Sequence, residues 1–500
     1  MSCPFRVCIS LRSCMGTITI VGLGTGDPRH LTREACEILE SAAEVWLRTE
    51  RHPAVAGLPP RLTWHSFDYL YEGGEDFRQV YDGIADEVLR LGQRPEGVIY
   101  AVPGHPLVGK AAVKQILSRA EGAGLAVRVV EGLSFVGPAL TALRIDALPG
   151  LQIHDALELA ALYHPSLDPD LPALVGQLYS RSLAADVKLT LMNQYPDDHR
   201  VTLVHAAGTF EQRVIHLPLY ELDRRDDIAH LTTLYVPPLP GVTSFEGLQD
   251  TVAHLRAPDG CPWDRKQTHE SLREGLLEET YEVVEAIDAG DAQALQEELG
   301  DLLLQVLLQT QIATDEAEFK MVQVIAGIDA KLKHRHPHVW GNLQVGDSDD
   351  VLRRWDELKR EEKGPDLSVL DGVPVAMPAL QQADIYSRRA ARVGFDWNAA
   401  SGVADKVREE LAEVEEATTP EQQEAELGDL LFAVVNWARW LNVDPETALR
   451  QANARFGRRF RYMERTIRER GLEMQALTID ELEALWQEAK KPGFSKKPGF

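Results

Sequence analysis

Apolar and polar positions follow two different rhythms along the chain. Up to about residue 235, short apolar runs alternate with amphipathic stretches. The pattern predicts strands at Ile18–Val21, Val98–Val102, Val127–Val130, Lys188–Met192 and Val201–His205, with helices at Leu31–Ser41 and Gly109–Ala120. Strands alternating with helices predict an α/β domain. Val236-Pro-Pro-Leu-Pro-Gly241 then interrupts the pattern and reads as a stiff linker. From Phe245 a helical period takes over, so the remainder is expected to be all-α. A second break contains Pro365, Pro374 and Pro378, with Gly364 and Gly372. The domains expected are therefore an α/β domain at 17–235, a linker at 236–242, helical domains at 243–364 and 379–490, and a linker at 365–378 between them. The segment 1–16 is expected to be a disordered extension, with Met15 as the true start or the extension as a loose tail. The tail 491–500, in which Lys-Pro-Gly-Phe occurs twice, is expected to be disordered as well.

The two helical segments repeat one another. The first carries Glu278-Glu279-x-x-Glu282 and then Glu298-Leu-Gly-Asp301; the second carries Glu409-Glu410-x-x-Glu413 and then Glu426-Leu-Gly-Asp429. Downstream, Lys331 and Arg335 share the spacing of Arg455 and Arg459, and Trp355 and Lys359 share that of Trp486 and Lys490. Residues three or four apart lie on one helix face. Glu279 and Glu282 therefore project together from one helix, as Glu298 and Asp301 do from the next. Asp291 and Thr419 stand where they can cap the second helix of each pair, and Pro420 suits the first helical position. If each pair folds as an antiparallel hairpin, four carboxylates converge. They repel unless a cation sits among them, and an oxygen-only set selects a hard cation, with magnesium carrying a triphosphate the expected case. Acids on a helix most often form its solvated face. Here they open strongly apolar stretches, Leu302–Leu308 and Leu430–Val435, where an unpaired cluster would be costly.

Composition narrows the partners. A net charge of −26 argues against a protein that grips a nucleic-acid backbone. No apolar run reaches the roughly 18 residues of a membrane-spanning helix, so no membrane is expected. Five cysteines without a Cys-x-x-Cys pair suit a reducing compartment, and a cytoplasmic protein is expected. His334, His336 and His338 lie close together, but Pro337 interrupts them and no cysteine or carboxylate pattern completes a zinc site. Trp263 is expected to be a packing residue.

The helical half closely resembles the MazG family of all-α nucleoside triphosphate pyrophosphohydrolases, in its two-repeat form. The resemblance rests on both E-E-x-x-E and E-L-G-D motifs, and on Cys261-Pro-Trp-Asp264 with Gln267-Thr-His269. It implies that Glu279, Glu282, Glu298 and Asp301 bind metal in one repeat, and that Glu410, Glu413, Glu426 and Asp429 bind metal and act in catalysis in the other. It further implies that Arg455, Arg459, Trp486 and Lys490, with Lys331, Arg335, Trp355 and Lys359 as counterparts, contact the nucleotide. Cleavage at the α–β linkage to a nucleoside monophosphate and pyrophosphate is the implied reaction.

The first half resembles the tetrapyrrole methylase superfamily, which binds S-adenosylmethionine. Gly22-Leu-Gly24-Thr-Gly26-Asp27-Pro28 matches its first loop, and Val102-Pro103-Gly104-His105-Pro106 stands where that superfamily often has Gly-Asp-Pro. The resemblance implies a cofactor site at Gly22, Gly24, Gly26, Asp27, Pro103, Gly104 and His105. Histidine in place of aspartate leaves methyl transfer itself open. Two other readings stand beside the hydrolase: a methyltransferase with an accessory helical half, and a scaffold whose repeats mediate assembly. The apolar stripe Leu427, Leu430, Leu431, Val434 and Val435, with Trp437 and Trp440 beside it, must be covered, and a homodimer is expected.

Overall fold

In the computed structural model, residues 16–73, 77–344 and 368–490 are described, together with 346, 347, 350, 351, 354, 355 and 358. The expected terminal tail and Lys359 lie outside them, as do residues 1–15 of the expected extension. The chain forms two compact units, 1–324 and 325–500.

The first unit opens with strands β1 (Thr17–Gly22), β2 (Glu44–Leu47), β3 (Thr63–Ser66), β4 (Val98–Val102) and β5 (Ala126–Val130), all parallel in the order β3-β2-β4-β1-β5. Helices α1 (Arg33–Ser41), α2 (Asp68–Gly73), α3 (Phe77–Gly92) and α4 (Ala111–Ala120) connect them. The inner strands β4 and β1 are buried along most of their length because helices cover both faces of the sheet, whereas the edge strand β3 is largely exposed. Ile18 and Ile20 pack on one side, with Ile84 and Val88 of α3 and Ile116 of α4; Val21 and Val45 pack on the other, with Ala35 and Leu39 of α1. After α5 (Val136–Leu143) comes a mixed sheet of β6 (Gln152–Asp155), β7 (Ala173–Gly176), β8 (Arg200–His205), β9 (Arg213–Pro218) and β10 (Thr232–Val236), in the order β6-β7-β10-β8-β9. Helices α6 (Ala156–Ala160) and α7 (Arg181–Leu191) accompany it.

One element differs from the sequence reading. Lys188–Met192, expected as a strand, is the end of α7 and its cap. The alternation Lys-Leu-Thr-Leu-Met looks like a strand when read alone. Ser180, however, accepts a hydrogen bond from the Leu183 amide and starts a helix, whose buried positions Leu183, Ala184, Val187, Thr190 and Leu191 are spaced for one face.

The same unit continues into helices α8 (Phe245–Arg256), α9 (Arg273–Ala289) and α10 (Ala292–Asp315). The expected break at 236–242 is therefore not where the compact units divide. Asp170 ties the two parts: its carboxylate accepts from the backbone N–H of Thr243 at 2.8 Å and of Ser244 at 3.1 Å, and from both hydroxyls. Helix α11 (Met321–Arg335) carries the chain into the second unit, which contains α12 (Pro337–Trp340), α13 (Ala379–Arg392), α14 (Ala400–Glu416), α15 (Pro420–Trp440), α16 (Pro445–Glu469) and α17 (Ile479–Ala489).

Candidate metal centres and ligand cleft

Two helical hairpins present the acidic motifs. In the first, Gly290 adopts the left-handed conformation (φ 65°) that ends α9, and Asp291 caps α10 by accepting from Gln293 and Ala294. In the second, Thr419 and Gln422 form a reciprocal cap at the start of α15, with Pro420 at the first helical position. The expected caps are thus the ones that fix each turn.

Across these turns carboxylates meet in threes. Ligand oxygens of Glu279, Glu282 and Glu298 lie within 4.8 Å of one another, and so do those of Glu410, Glu426 and Asp429. Asp301 and Glu413 fall outside these two groups but stay coupled to them: Asp301 is near enough to act on the charge of Glu279, and Glu413 hydrogen-bonds Glu410. Partial burial, followed by the charge of Asp301, raises the Glu279 carboxyl above the ordinary range. Partial burial and then Glu298 raise Glu282; partial burial and then Glu297 raise Glu298. Such crowding is what a hard cation relieves, and the all-oxygen donor sets fit one.

The hairpins differ around their first acid. Glu410 is 6% exposed, and its carboxylate is held by Lys406 at 2.7 Å; Lys406 also reaches Glu409 at 2.8 Å. The place matching Lys406 is Gly275 in the first hairpin, where a Cβ would stand 3.1 Å from the Gln305 amide nitrogen. Gln305 instead hydrogen-bonds Glu279.

The basic and aromatic residues form clusters of their own. The Arg459 guanidinium lies 5.6 Å from the Trp486 ring centre, and the Lys490 ammonium 6.0 Å from it. Trp486 packs at the edge of a core of Met463, Ile467 and Leu485. Arg335 stands over Trp355 at 5.6 Å in the same manner. Arg455 and Lys331 are exposed. Trp263, expected to pack, is 65% exposed; its tight loop holds the ring outside the α8–α10 core.

In the α/β part, the loops after β1 and β4 are fastened together. Leu23 donates to the Val102 carbonyl at 2.8 Å, and Gly104 to that of Gly24 at 2.7 Å. Gly22 has no room for a side chain, since a Cβ would approach the Gly104 oxygen to 2.6 Å. Gly24 (φ 64°) and Gly104 (φ 69°) both need the left-handed region. Beside them opens a cleft of about 140 Å³, lined by Gly24, Pro103, Gly104 and His105 among others. Gly22 and Gly26 do not line it, and Asp27 turns to Arg29 instead, whose side chain holds its carboxyl far below the usual range. His105 accepts from the Leu107 amide through Nδ1 at 3.1 Å, the turn-closing bond an aspartate would also make. His52, Lys110, Phe135 and Gln177 line the cleft too. Nothing local in the sequence marks them, because they come from four separate loops.

Residues 267–340 match the MazG nucleotide pyrophosphohydrolase domain, and residues 17–223 the Tetrapyrrole (Corrin/Porphyrin) Methylases. The chain is 41% identical to the uncharacterised protein YabN of Bacillus subtilis over 486 residues, covering 95% of this chain and 99% of that one. It is 46% identical over 247 residues to the nucleoside triphosphate pyrophosphohydrolase/pyrophosphatase MazG of Thermotoga maritima, covering 49% of this chain and 95% of that one. Among solved structures it resembles uroporphyrin-III-C-methyltransferase from Thermus thermophilus, with 21% identity, a TM-score of 0.36, and coverage of 44% of this chain and 94% of that one.

Proposed function

This chain belongs to the MazG nucleotide pyrophosphohydrolases, with a tetrapyrrole methylase domain ahead of its MazG domain, and on that premise we propose that it hydrolyses nucleoside triphosphates to a monophosphate and pyrophosphate with magnesium. The observation that carries the reading is the pair of carboxylate triads on matching hairpins.

Glu410, Glu426 and Asp429 would hold the metal in the second hairpin, and Glu279, Glu282 and Glu298 in the first; magnesium held there would polarise phosphate oxygens and acidify a water. Glu413 sits one turn from Glu410, outside the triad and open to solvent, and serves as the base that takes the proton of the attacking water. Arg455, Arg459 and Lys490 neutralise the triphosphate and the charge that grows on the departing pyrophosphate. Trp486 offers an indole edge for the base. The second hairpin carries most of the turnover, because Lys406 fixes Glu410 in place before substrate arrives. Purified protein supplied with each triphosphate and magnesium should release pyrophosphate, lose activity in EDTA and regain it with added magnesium. Orthophosphate and a nucleoside diphosphate as products would overturn the reading.

The cleft supports cofactor binding in the same chain: Gly24, Pro103, Gly104 and His105, which line it, would contact S-adenosylmethionine. Calorimetry with the methyl donor and with S-adenosylhomocysteine tests this, and absence of heat with both would remove it. The protein acts as a homodimer in the cytoplasm. The free thiols of Cys36 and Cys261 suit that compartment, and no described helix is long and apolar enough to cross a membrane. Neither nucleic acid nor membrane is a partner in this reading.

A further inference from the structure

Lys110 lines the amino-terminal cleft, and Arg48, whose backbone N–H donates to the Ala101 carbonyl at 2.9 Å, stands near enough to act on its charge. Arg48 directly follows β2. Its Nε donates to the Tyr71 hydroxyl at 3.0 Å, and its guanidinium lies 5.5 Å from the centre of the Tyr81 ring. Lys110 precedes α4, and among the described residues its ammonium donates to the Gly109 carbonyl, at 3.4 Å. Among the described residues, no carboxylate forms an ion pair with either side chain. Asp155 is near enough to act on the charge of Lys110, but its own oxygens are engaged, one by the Leu157 amide at 2.9 Å and the other by Gln177.

Further donors lie nearby. Tyr100, near enough to act on the charge of Arg48, is fully buried, and its hydroxyl has no partner among the described residues. His52 is 5% exposed, lines the cleft and has neither ring nitrogen partnered among the described residues. Burial, and then the charge of Lys110, push the His52 ring down to about 4, so at neutral pH it is an uncharged ring with one N–H to donate. Two half-buried cations beside unpartnered buried donors are costly until an anion joins them.

We propose that Arg48 and Lys110, with the hydroxyls of Tyr71 and Tyr100 and the ring of His52, form an oxyanion site for the carboxylate or phosphate of a small ligand. A guanidinium and an ammonium together suit a doubly charged oxyanion, the guanidinium as a fork and the ammonium as a point charge. The cleft volume of about 140 Å³ admits a compact group. The tyrosines add neutral donors and keep water out. Burial, and then the charge of Arg48, hold the Lys110 amine down at about 7, which an arriving anion would reverse. The glycine loops border the same cleft, so a methyl donor held there would face the ligand this anion anchors. The oxyanion site itself does not depend on that donor.

The test is competitive acetylation of the full chain at pH 7 with acetic anhydride, read by mass spectrometry at Lys110, with Lys114 as the internal reference. Inorganic phosphate and succinate are added separately at matched ionic strength. Saturable protection of Lys110 and not of Lys114 is expected, with phosphate or succinate giving the lower midpoint according to the class of ligand. Arg48→Met should raise that midpoint about tenfold or more. The milder Tyr71→Phe, which removes one hydroxyl, should raise it several-fold. Arg455→Gln with Arg459→Gln should leave it unchanged, which separates this site from phosphate binding in the helical half. Acetylation of Lys110 unaffected by either anion, or protection unchanged in Arg48→Met, would overturn the proposal. Protection that persists where S-adenosylhomocysteine gives no heat would remove the donor reading and leave the oxyanion site standing.

Discussion

Glu410 and Glu279 hold matching places on their hairpins and have different neighbours. Glu410 is buried against the Lys406 ammonium, whereas Glu279 meets an uncharged amide. A ligand fixed in advance loses less freedom when metal and substrate bind. Glu410→Gln with Glu413→Gln should therefore cut pyrophosphate release by roughly a hundredfold. Glu279→Gln with Glu282→Gln should cost several-fold at most, and the reverse ranking would move the main activity to the first hairpin. Lys406 is a positioning residue in this account. Lys406→Met should raise the magnesium concentration needed for half-maximal rate by about tenfold, with Lys406→Arg restoring most of it. An unchanged magnesium dependence would leave Lys406 with a structural role only. The motif spacing made Glu279, Glu282, Glu410 and Glu413 legible as acids on a face. It gave no sign of Lys406, because four residues upstream of an acid on a helix is an ordinary place for a surface lysine.

At the scale of elements, short-range signals decided most outcomes and one long-range contact decided another. Asp291, Thr419 and Pro420 start their helices as their chemistry requires. Lys188–Met192 shows the opposite, since five residues of apparent alternation yielded to a capped helix that buries Val187 and Leu191 against the second sheet. The junction between that sheet and α8 rests on Asp170, whose hydrogen bonds from the Ser244 and then the Thr243 hydroxyl hold its carboxyl down at about 2. An unfolded aspartate titrates near 4, at about 3.9. A depressed folded value means that this contribution is complete above about pH 4 and fades as pH falls toward 2. Asp170→Asn should thus lower the melting temperature at pH 7, and the gap to the parent should shrink steadily below pH 4. A gap that stays constant from pH 7 to pH 3 would show that ionisation of Asp170 adds nothing to the junction.

For the whole molecule, the question is what covers the apolar faces. The stripe on α15 is divided: Val435 is buried, whereas Leu427, Leu431 and Val434 are 49%, 51% and 41% exposed. Helix α10 shows the same feature with Leu299 and Leu303, 49% and 37% exposed. Covering one leucine contributes about 1.5–3 kcal/mol, and a second copy of the chain can cover both faces in one closed, two-fold assembly. Light scattering over a dilution series should give a dimer, and Leu431→Glu should shift it toward monomer with loss of activity. A fully active monomer at the lowest workable concentration would end the dimer reading.

The sequence by itself determined what is periodic or adjacent. The α/β and all-α halves, the duplicated acidic motifs, the helix caps and the glycine loop before Asp27 all follow from residues within a few positions of one another, where helix and turn geometry leave little choice. Tertiary structure decided what depends on distant residues meeting. It drew the carboxylates of each hairpin within ligand distance of one another, turned Asp27 toward Arg29, and brought His52 and Lys110 into one cleft from separate loops, with Arg48 near enough to act on the charge of Lys110. Parallel strands place their carboxy-terminal loops side by side whatever their separation in the chain. A cluster built from those loops therefore has no spacing to read.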